Sequence, residues 1–448
     1  MNSTENIMGT KKITPLLLSM SIPPMISMMI QSLYNIVDSI FVARLSPDAL
    51  TAVSLAFPLQ NLILAVAVGF GVGLNACIAR RLGAKNMKAV EQTATHGFIF
   101  TGIHALIFVI LGIFITKPFI RLFAQNEQIF NMASTYSYIV IFCSFGQLFH
   151  LFAEKSFQAT GNMLIPMFIQ GLGAIINIIL DPILIFGLFG LPALGVAGAA
   201  IATVTAQIIA CGVSLMLFFQ KKNPVKLNFK GFKFNRDIIK GLYGIAIPSS
   251  IMIALPSALV GILNGILVGL SDFGVGVFGV YYKLQTFIYM PANGVIQGMR
   301  PIMSFNYGAK NHKRMKATVK SALSISGIIM ILGTILFMAI PQEIMALFND
   351  SPEILKVGAS ALRIISLGFV VSTISIVLSG AFEALGHGVQ SLIISLIRML
   401  LIIPPVAFIL SRFMGLYGVW AAFPVAEVLA SVTAIILYKK MSKEIYKH

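Results

Sequence analysis

Long apolar segments recur from end to end of this chain, for example at 57–79, 321–340 and 391–410. Each is long enough to cross the hydrocarbon core of a bilayer as one helix, which takes about 20 residues. We place about twelve such spans, near 14–41, 52–79, 93–116, 132–157, 162–187, 195–220, 239–270, 275–302, 317–340, 356–382, 388–411 and 415–438. The sequence therefore predicts an all-α integral membrane protein.

Composition agrees with this prediction. Hydrophobic residues make up 57% of the chain and charged residues only 10%, whereas soluble domains carry about 25% charged residues. The spans show no alternation of apolar and polar residues, which disfavours a transmembrane β-barrel. No metal-ligand spacing, Ser–His–Asp set or phosphate-binding loop is present, so we expect neither an enzyme nor a bound cofactor or structural metal.

The formal net charge of +17 is unevenly distributed. If the spans alternate from a cytoplasmic amino terminus, most Lys and Arg residues fall on the cytoplasmic side, most densely in 221–240. This asymmetry follows the positive-inside rule and predicts that both termini are cytoplasmic. We therefore expect anionic membrane lipids, rather than nucleic acid, to be the partners of this charge.

An internal duplication divides the chain. The motif GAKN occurs at 83–86 and again at 308–311, and FQATG at 157–161 corresponds to FEALG at 382–386 with the same offset in sequence. The shared offset predicts two six-helix bundles in parallel orientation: an amino-terminal lobe at 1–220, a basic connector at 221–240 and a carboxy-terminal lobe at 241–448. Duplicated halves are typical of transporters that work by alternating access, although a duplicated structural membrane protein remains an alternative.

Acidic residues are scarce within the spans, and two stand out. Asp38 lies in the first span and Asp181 in the fifth, where Asn177 precedes it by one helical turn and so shares its helix face. The equivalent positions in the second half, at the offset of the repeated motifs, hold Leu263, Val406 and Ile402. The duplication thus retained the carboxylates in one half only.

A charge at the centre of a spanning helix costs about 2.5–3.5 kcal/mol on insertion scales. Two nearby acids avoid joint ionisation when one holds a proton or when a cation lies between them. Either arrangement is a site for a coupling ion, and Pro23 would let the first helix bend beside it. Two plainer interpretations stay open: Asp38 could accept a hydroxyl hydrogen bond from Tyr34 or Ser39, and Asp181 could cap a kink.

Other polar residues in the spans are candidates for a substrate cavity. These are Tyr34, Lys283 and Glu427. Glu427 has a second interpretation as the structural partner of Arg398 in the eleventh span. The cysteines, all within spans, are expected to be small packing residues.

Several motifs together resemble one known family. They are LYNIVDSIFVARL, GVGLNACIARRLGAKN, FQATGN, NIILDPILIFG, LPALGVAGAAIAT and NYGAKN. This set is similar to the multidrug and toxin extrusion (MATE) family, and FEALG and PVAEV are most similar to its MepA-like branch in Gram-positive bacteria. The resemblance covers nearly the whole chain and implies twelve helices in two bundles within the bacterial cell membrane.

The resemblance also implies roles for particular residues. The family's cation cluster would correspond to Asp38, Asn177, Asp181 and Thr203, with the carbonyl of Ala199 as a further ligand. Some relatives carry acidic residues in the seventh and tenth spans. The seventh span here has none and the tenth offers only Glu383 near its end, which favours a mechanism centred on the first lobe.

The resulting hypothesis is an antiporter, expected to act as a monomer, that exports lipophilic, often cationic drugs in exchange for Na⁺ or H⁺. Na⁺ is favoured because a carboxamide and a hydroxyl supply oxygen ligands that a proton does not need. Two alternatives are a flippase for lipid-linked oligosaccharide or another lipid, and a receptor or scaffold without transport. A flippase would need several arginines facing a large cavity, and the spans contain few.

Overall fold

The computed structural model describes residues 6–271, 273–348 and 351–445, and every regular element within these ranges is helical. A 3₁₀ turn covers Leu188–Gly190 and a π-helical segment covers Ile397–Ile402. The α-helices are α1 Ile7–Thr10, α2 Ile13–Ala43, α3 Pro47–Gly83, α4 Met87–Phe123, α5 Glu127–Phe142, α6 Ser144–Ala159, α7 Leu164–Phe186, α8 Gly195–Phe218, α9 Arg236–Val268, α10 Gly274–Gly308, α11 His312–Ala339, α12 Pro341–Ala346, α13 Pro352–Ser366, α14 Phe369–Leu385, α15 Gly388–Leu396, α16 Ile403–Met414 and α17 Leu416–Ile445.

Each of the twelve predicted spans coincides with one helix or with consecutive helices. Within the described ranges, nine helical segments are long and apolar enough to cross a membrane, and two bent pairs bring that number to eleven. The pairs are α5 with α6, bent by 43°, and α13 with α14, bent by 50°. The remaining predicted span corresponds to α10, which has 35 residues but is not among the segments that meet this criterion. The all-α membrane architecture is thus confirmed.

The chain forms two compact units. The first unit is Ile26–Ser250, and the second unit combines Met1–Met25 with Ile251–His448. The two boundaries, at 26 and 251, are separated by the offset of the repeated motifs. They lie inside α2 and α9, so each of these helices begins in one unit and ends in the other. The predicted lobes, 1–220 and 241–448, divide the chain differently, because they follow sequence order alone.

The repeated GAKN motif forms the same turn in both halves. Lys85 and Lys310 have left-handed backbones, with φ of 56° and 57°. Asn86 and Asn311 then cap the next helix, because each side chain accepts a hydrogen bond from the backbone N–H three positions further on. The motif was therefore duplicated together with its local structure, a tight reversal between two long helices.

Small residues allow α7 and α8 to pack closely in the first unit. Nearby, a core of Val42, Tyr136, Ile185, Ala199 and Val204 joins α2, α5, α7 and α8. Apolar burial by itself gives little drive for association between helices in lipid, so close backbone approach matters more than it would in water.

We expect Gly198→Ala to destabilise this helix pair. A Cβ at position 198 would lie 2.4 Å from the carbonyl oxygen of Leu184, so α7 and α8 must separate. The expected loss is about 1–3 kcal/mol, visible as a lower melting temperature of the detergent-purified protein. Gly212→Ala on the same helix is the matched control, since a Cβ there meets no atom within 4 Å. Equal melting temperatures for the two variants would contradict the packing argument.

Candidate functional site

Two carboxylates meet inside the first unit. Asp38 on α2 and Asp181 on α7 hold their carboxyl groups within hydrogen-bonding distance of each other. Asp181 has 0% of its surface exposed, and no ion pair among the described residues includes either carboxylate. Two like charges about 4 Å apart repel by about 4 kcal/mol at an effective dielectric constant of about 20. The pair is therefore stable only with a proton or a cation.

Asn177 and Thr203 complete the group. The Asn177 Nδ2 donates to Asp181 Oδ1 at 3.3 Å and to Thr203 Oγ1 at 3.4 Å. Asn177 and Asp181 share a face of α7 because they are one helical turn apart, and the close packing of α8 brings Thr203 to that face. We call Asp38, Asn177, Asp181 and Thr203 the acidic cluster. The structure brings these four predicted residues together.

The acidic cluster contains acceptor oxygens that have no donor. Asp38 Oδ1, Asn177 Oδ1 and Asp181 Oδ2 are buried without a hydrogen-bond partner among the described residues. Buried polar atoms are ordinarily paired, and these three are all oxygens of carboxyl or carboxamide groups. Such a set lacks positive charge, and its chemistry suits a hard monovalent cation or a proton.

Two tyrosines lie beside the cluster. Tyr34 precedes Asp38 by one turn of α2, and both Tyr34 and Tyr136 lie within electrostatic range of the two carboxyl groups. The Tyr136 hydroxyl also accepts a hydrogen bond of 3.2 Å from Gln60.

Ala199 and Pro23 are the other two residues predicted for the cation mechanism. Ala199 is fully buried on α8, one turn before Thr203. Its carbonyl oxygen faces the helical N–H of position 203, so one lone pair remains for a ligand. Pro23 is buried in the part of α2 that belongs to the second unit, and the helix continues through it. The roles of both residues stay predictions.

The predicted substrate residues do not share one compact unit. Tyr34 belongs to the first unit, whereas Lys283 on α10 and Glu427 on α17 belong to the second. Lys283 is exposed and Glu427 is buried. Glu427 Oε1 lies 3.9 Å from Arg398 Nη1. This is the structural pairing predicted as the second interpretation of Glu427.

A cavity of about 60 Å³ opens beside the acidic cluster. We call it the α7–α8 cavity, since these two helices provide most of its wall. Its polar lining comprises Tyr34, His150, Gln170, Asn177, Thr203 and Gln207. Polar atoms of the acidic cluster thus border a space inside the first unit whose wall is partly polar.

Three of these polar residues were not predicted from the sequence, although a signal was present. Gln207 follows Thr203 by one helical turn, and Gln170 precedes Asn177 by two, so each extends a helix face that was already assigned. His150 precedes Glu154 by one turn within the fourth span. Helical periodicity applied to polar residues would have identified all three.

Comparison with models of protein families identifies the family of this chain. The MatE family model matches residues 23–183 and 248–409. The chain belongs to the MatE family. The two matched segments begin at 23 and 248, the offset of the repeated motifs, so the family model occurs once in each half of the duplication.

Individual relatives agree with this assignment. "Multidrug export protein MepA" of Staphylococcus aureus (strain MSSA476) is 26% identical over 425 residues, which are 93% of this chain and 91% of that protein. The protein of the same name from Staphylococcus haemolyticus (strain JCSC1435) is 27% identical over 420 residues, with the same coverage. The resemblance to the MepA-like branch is thus confirmed.

A solved structure supports the same fold for the MatE chain. It is described as the outward-facing conformation of a multidrug resistance MATE family transporter of the MOP superfamily. The identity is 25%, the TM-score is 0.93, and the match covers 100% of both chains. Together with the apolar helices, these relatives identify a multi-pass membrane transporter fold.

Proposed function

We propose that this MatE protein is a cation-coupled antiporter that exports lipophilic, often cationic drugs across the cell membrane. Its similarity to proteins named for multidrug export supports the drug substrates. The observation that carries the cation coupling is the acidic cluster, in which two adjacent carboxyl groups have no basic partner among the described residues.

In this proposal, the acidic cluster binds a cation that enters from the outer side of the membrane. Asp38 and Asp181 supply charge, while Asn177 and Thr203 contribute oxygen atoms; the carbonyl of Ala199 is a further ligand. Because Asn177 donates through its nitrogen, its carboxamide oxygen remains available to the cation. This choice of oxygens favours Na⁺ over H⁺.

The cation must bind the outward-facing and inward-facing conformations of the transporter with different affinities, because a ligand shifts a conformational equilibrium only by its differential affinity. Neutralising the paired carboxylates removes their repulsion, and this lets α2 pack more closely against α7. Pro23 is the proposed hinge of α2. Drug release outward and cation release inward then alternate.

Several broader features belong to the same proposal. The protein acts as a monomer, its termini face the cytoplasm, and its basic connector at 221–240 lies against anionic lipid headgroups. No enzymatic step and no resident cofactor are needed, because the cation gradient supplies the free energy for transport.

The deciding experiment uses purified protein in proteoliposomes with ethidium as the drug. We expect an imposed Na⁺ gradient to drive ethidium against its own gradient, and a pH gradient alone to drive it at less than one third of that rate. The dissipating ionophore for each cation is the control and should abolish the corresponding transport. If neither gradient moves ethidium, cation coupling is disproved; if only the pH gradient does, H⁺ replaces Na⁺ in the mechanism.

A further inference from the structure

The α7–α8 cavity connects the acidic cluster to a second polar group. One end of the cavity is formed by Asn177 and Thr203, and the other reaches His150 on α6. Its volume of about 60 Å³ leaves room for a few water molecules, since one water needs about 10–15 Å³ of such space.

The chemistry of the wall favours water over an empty packing void. Empty cavities in proteins are apolar, whereas Gln170 and Gln207 place amides midway along this one. The Oε1 atom of Gln207 is buried and has no hydrogen-bond partner among the described residues. A water molecule or a hydrated cation would satisfy it.

The far end of the cavity has a defined hydrogen-bond direction. The Ser214 hydroxyl donates to the carbonyl of Ala210, so its oxygen must accept from His150 Nδ1 at 2.9 Å. In the neutral ring, Nε2 is then an acceptor, and it faces Glu154 Oε2 at 3.9 Å. A proton or a water molecule between these two acceptors would join them, and the His150 ring also interacts with the Gln170 side chain that lines the cavity.

Glu154 continues the polar chain to one end of the first unit. Its carboxylate accepts from Lys155 Nζ at 2.8 Å and from Gln158 Nε2 at 2.9 Å. These residues lie in the last turns of α6, at the same end as the basic turn 83–86 between α3 and α4. This is the end that the proposed function assigns to the cytoplasm.

We propose that the α7–α8 cavity is the cytoplasmic exit for the coupling cation, and that His150 is the positioning residue at its mouth. The inference rests on the proposed function and specifies the inward half of its cycle. A monovalent cation, Na⁺ or hydronium, leaves the acidic cluster past Gln207 and reaches the His150–Glu154 gap.

A larger side chain that fills part of the cavity tests the exit route directly. A Cβ at Gly173 would make ordinary contact with Ala210 Cβ at 3.6 Å, so Gly173→Ala is tolerated, whereas the longer side chain of Gly173→Leu extends into the cavity. We expect Gly173→Leu to lower cation-driven ethidium transport in proteoliposomes at least tenfold. Ethidium–ethidium exchange without a cation gradient should stay within twofold of the unmodified protein, because it does not require cation release.

The outcomes separate this inference from the proposed function. If the unmodified protein shows no cation-driven transport, the proposed function fails. If it does, and Gly173→Leu transports at the same rate or loses exchange equally, the exit route is wrong. Gly173→Ala should match the unmodified protein in both assays, and Gly173→Val is a smaller replacement for use if Gly173→Leu does not fold.

Two buried histidines provide a second, matched comparison. His150→Leu should slow cation-driven transport about fivefold or more while sparing exchange, and His150→Gln, which keeps a hydrogen-bonding side chain, should recover at least half of the lost rate. His104 bonds Tyr243 at 2.8 Å in the same unit and does not line the cavity, so His104→Leu should change neither rate more than twofold. Equal effects of the two leucine substitutions would assign His150 a structural role only.

Discussion

Replacing Asp38 with asparagine is expected to abolish cation-driven drug transport while the folded protein remains in the membrane. Asparagine has nearly the same shape and can still hydrogen-bond to Asp181, but it removes one of the two ligand charges. In a site of low dielectric constant, the loss of that charge costs about 3 kcal/mol or more of cation affinity, which is at least about 100-fold. Ethidium transport driven by an imposed Na⁺ or pH gradient measures this loss.

The stability of the Asp38→Asn variant should not fall. The substitution relieves the repulsion between two adjacent carboxylates, so the melting temperature in detergent should equal or exceed that of the unmodified protein. Asp48→Asn, the same chemical change in the first turn of α3, is the control and should transport normally. If Asp38→Asn protein concentrates ethidium at the unmodified rate, Asp38 does not bind the coupling cation.

Much of the fold could be predicted because the membrane restricts the possible structures. An apolar segment of spanning length has to be helical in lipid, since every backbone hydrogen bond must be made within the segment. The same restriction made Asp38 and Asp181 identifiable in the sequence, because an acid is rare and costly in such a segment. The sequence therefore indicated both the helices and the acidic residues, and the structure places the two carboxyl groups together.

The remaining features depend on contacts that no local pattern encodes. The boundary between the compact units lies within α2 and α9, and it follows from which distant helices each half contacts. The bends between α5 and α6 and between α13 and α14 occur without a proline at the break. The bond from His150 to Ser214 joins two helices that are far apart in sequence. Only a packed structure can reveal such features.

Arg398 and Glu427 form an ionisable pair in the second unit, and this pair serves either transport or stability. Arg398 lies in the π-helical segment Ile397–Ile402, and π segments inside α-helices are frequent at functional sites. Its partner Glu427 is only 8% exposed and also accepts from Ser375 Oγ at 3.5 Å. Glu427 is therefore buried and Arg398 half-buried, and the closest charged atoms of the pair are 3.9 Å apart.

We expect Arg398→Met to destabilise the protein strongly and Glu427→Gln to reverse that effect. Removing the arginine leaves a buried carboxylate without its counter-charge, which typically costs about 3–5 kcal/mol; the open geometry reduces our expectation to about 2–3 kcal/mol. Neutralising Glu427 in the double variant removes the uncompensated charge. Thermal unfolding of the purified single and double variants measures the coupling between the two residues.

Transport by the same variants separates the two interpretations of Glu427. If the pair is structural, the double variant Arg398→Met with Glu427→Gln should keep at least half of the cation-driven ethidium rate. If Glu427 lines the substrate cavity, Glu427→Gln alone should weaken ethidium binding several-fold without loss of stability, because a carboxylate that contacts a cationic drug supplies charge at the contact itself. A structural pair would confine cation coupling to the first unit, since the positions that correspond to Asp38 and Asp181 in the second half hold leucine and valine. The duplication would then have produced one unit that holds the cation and one whose buried charges maintain its fold.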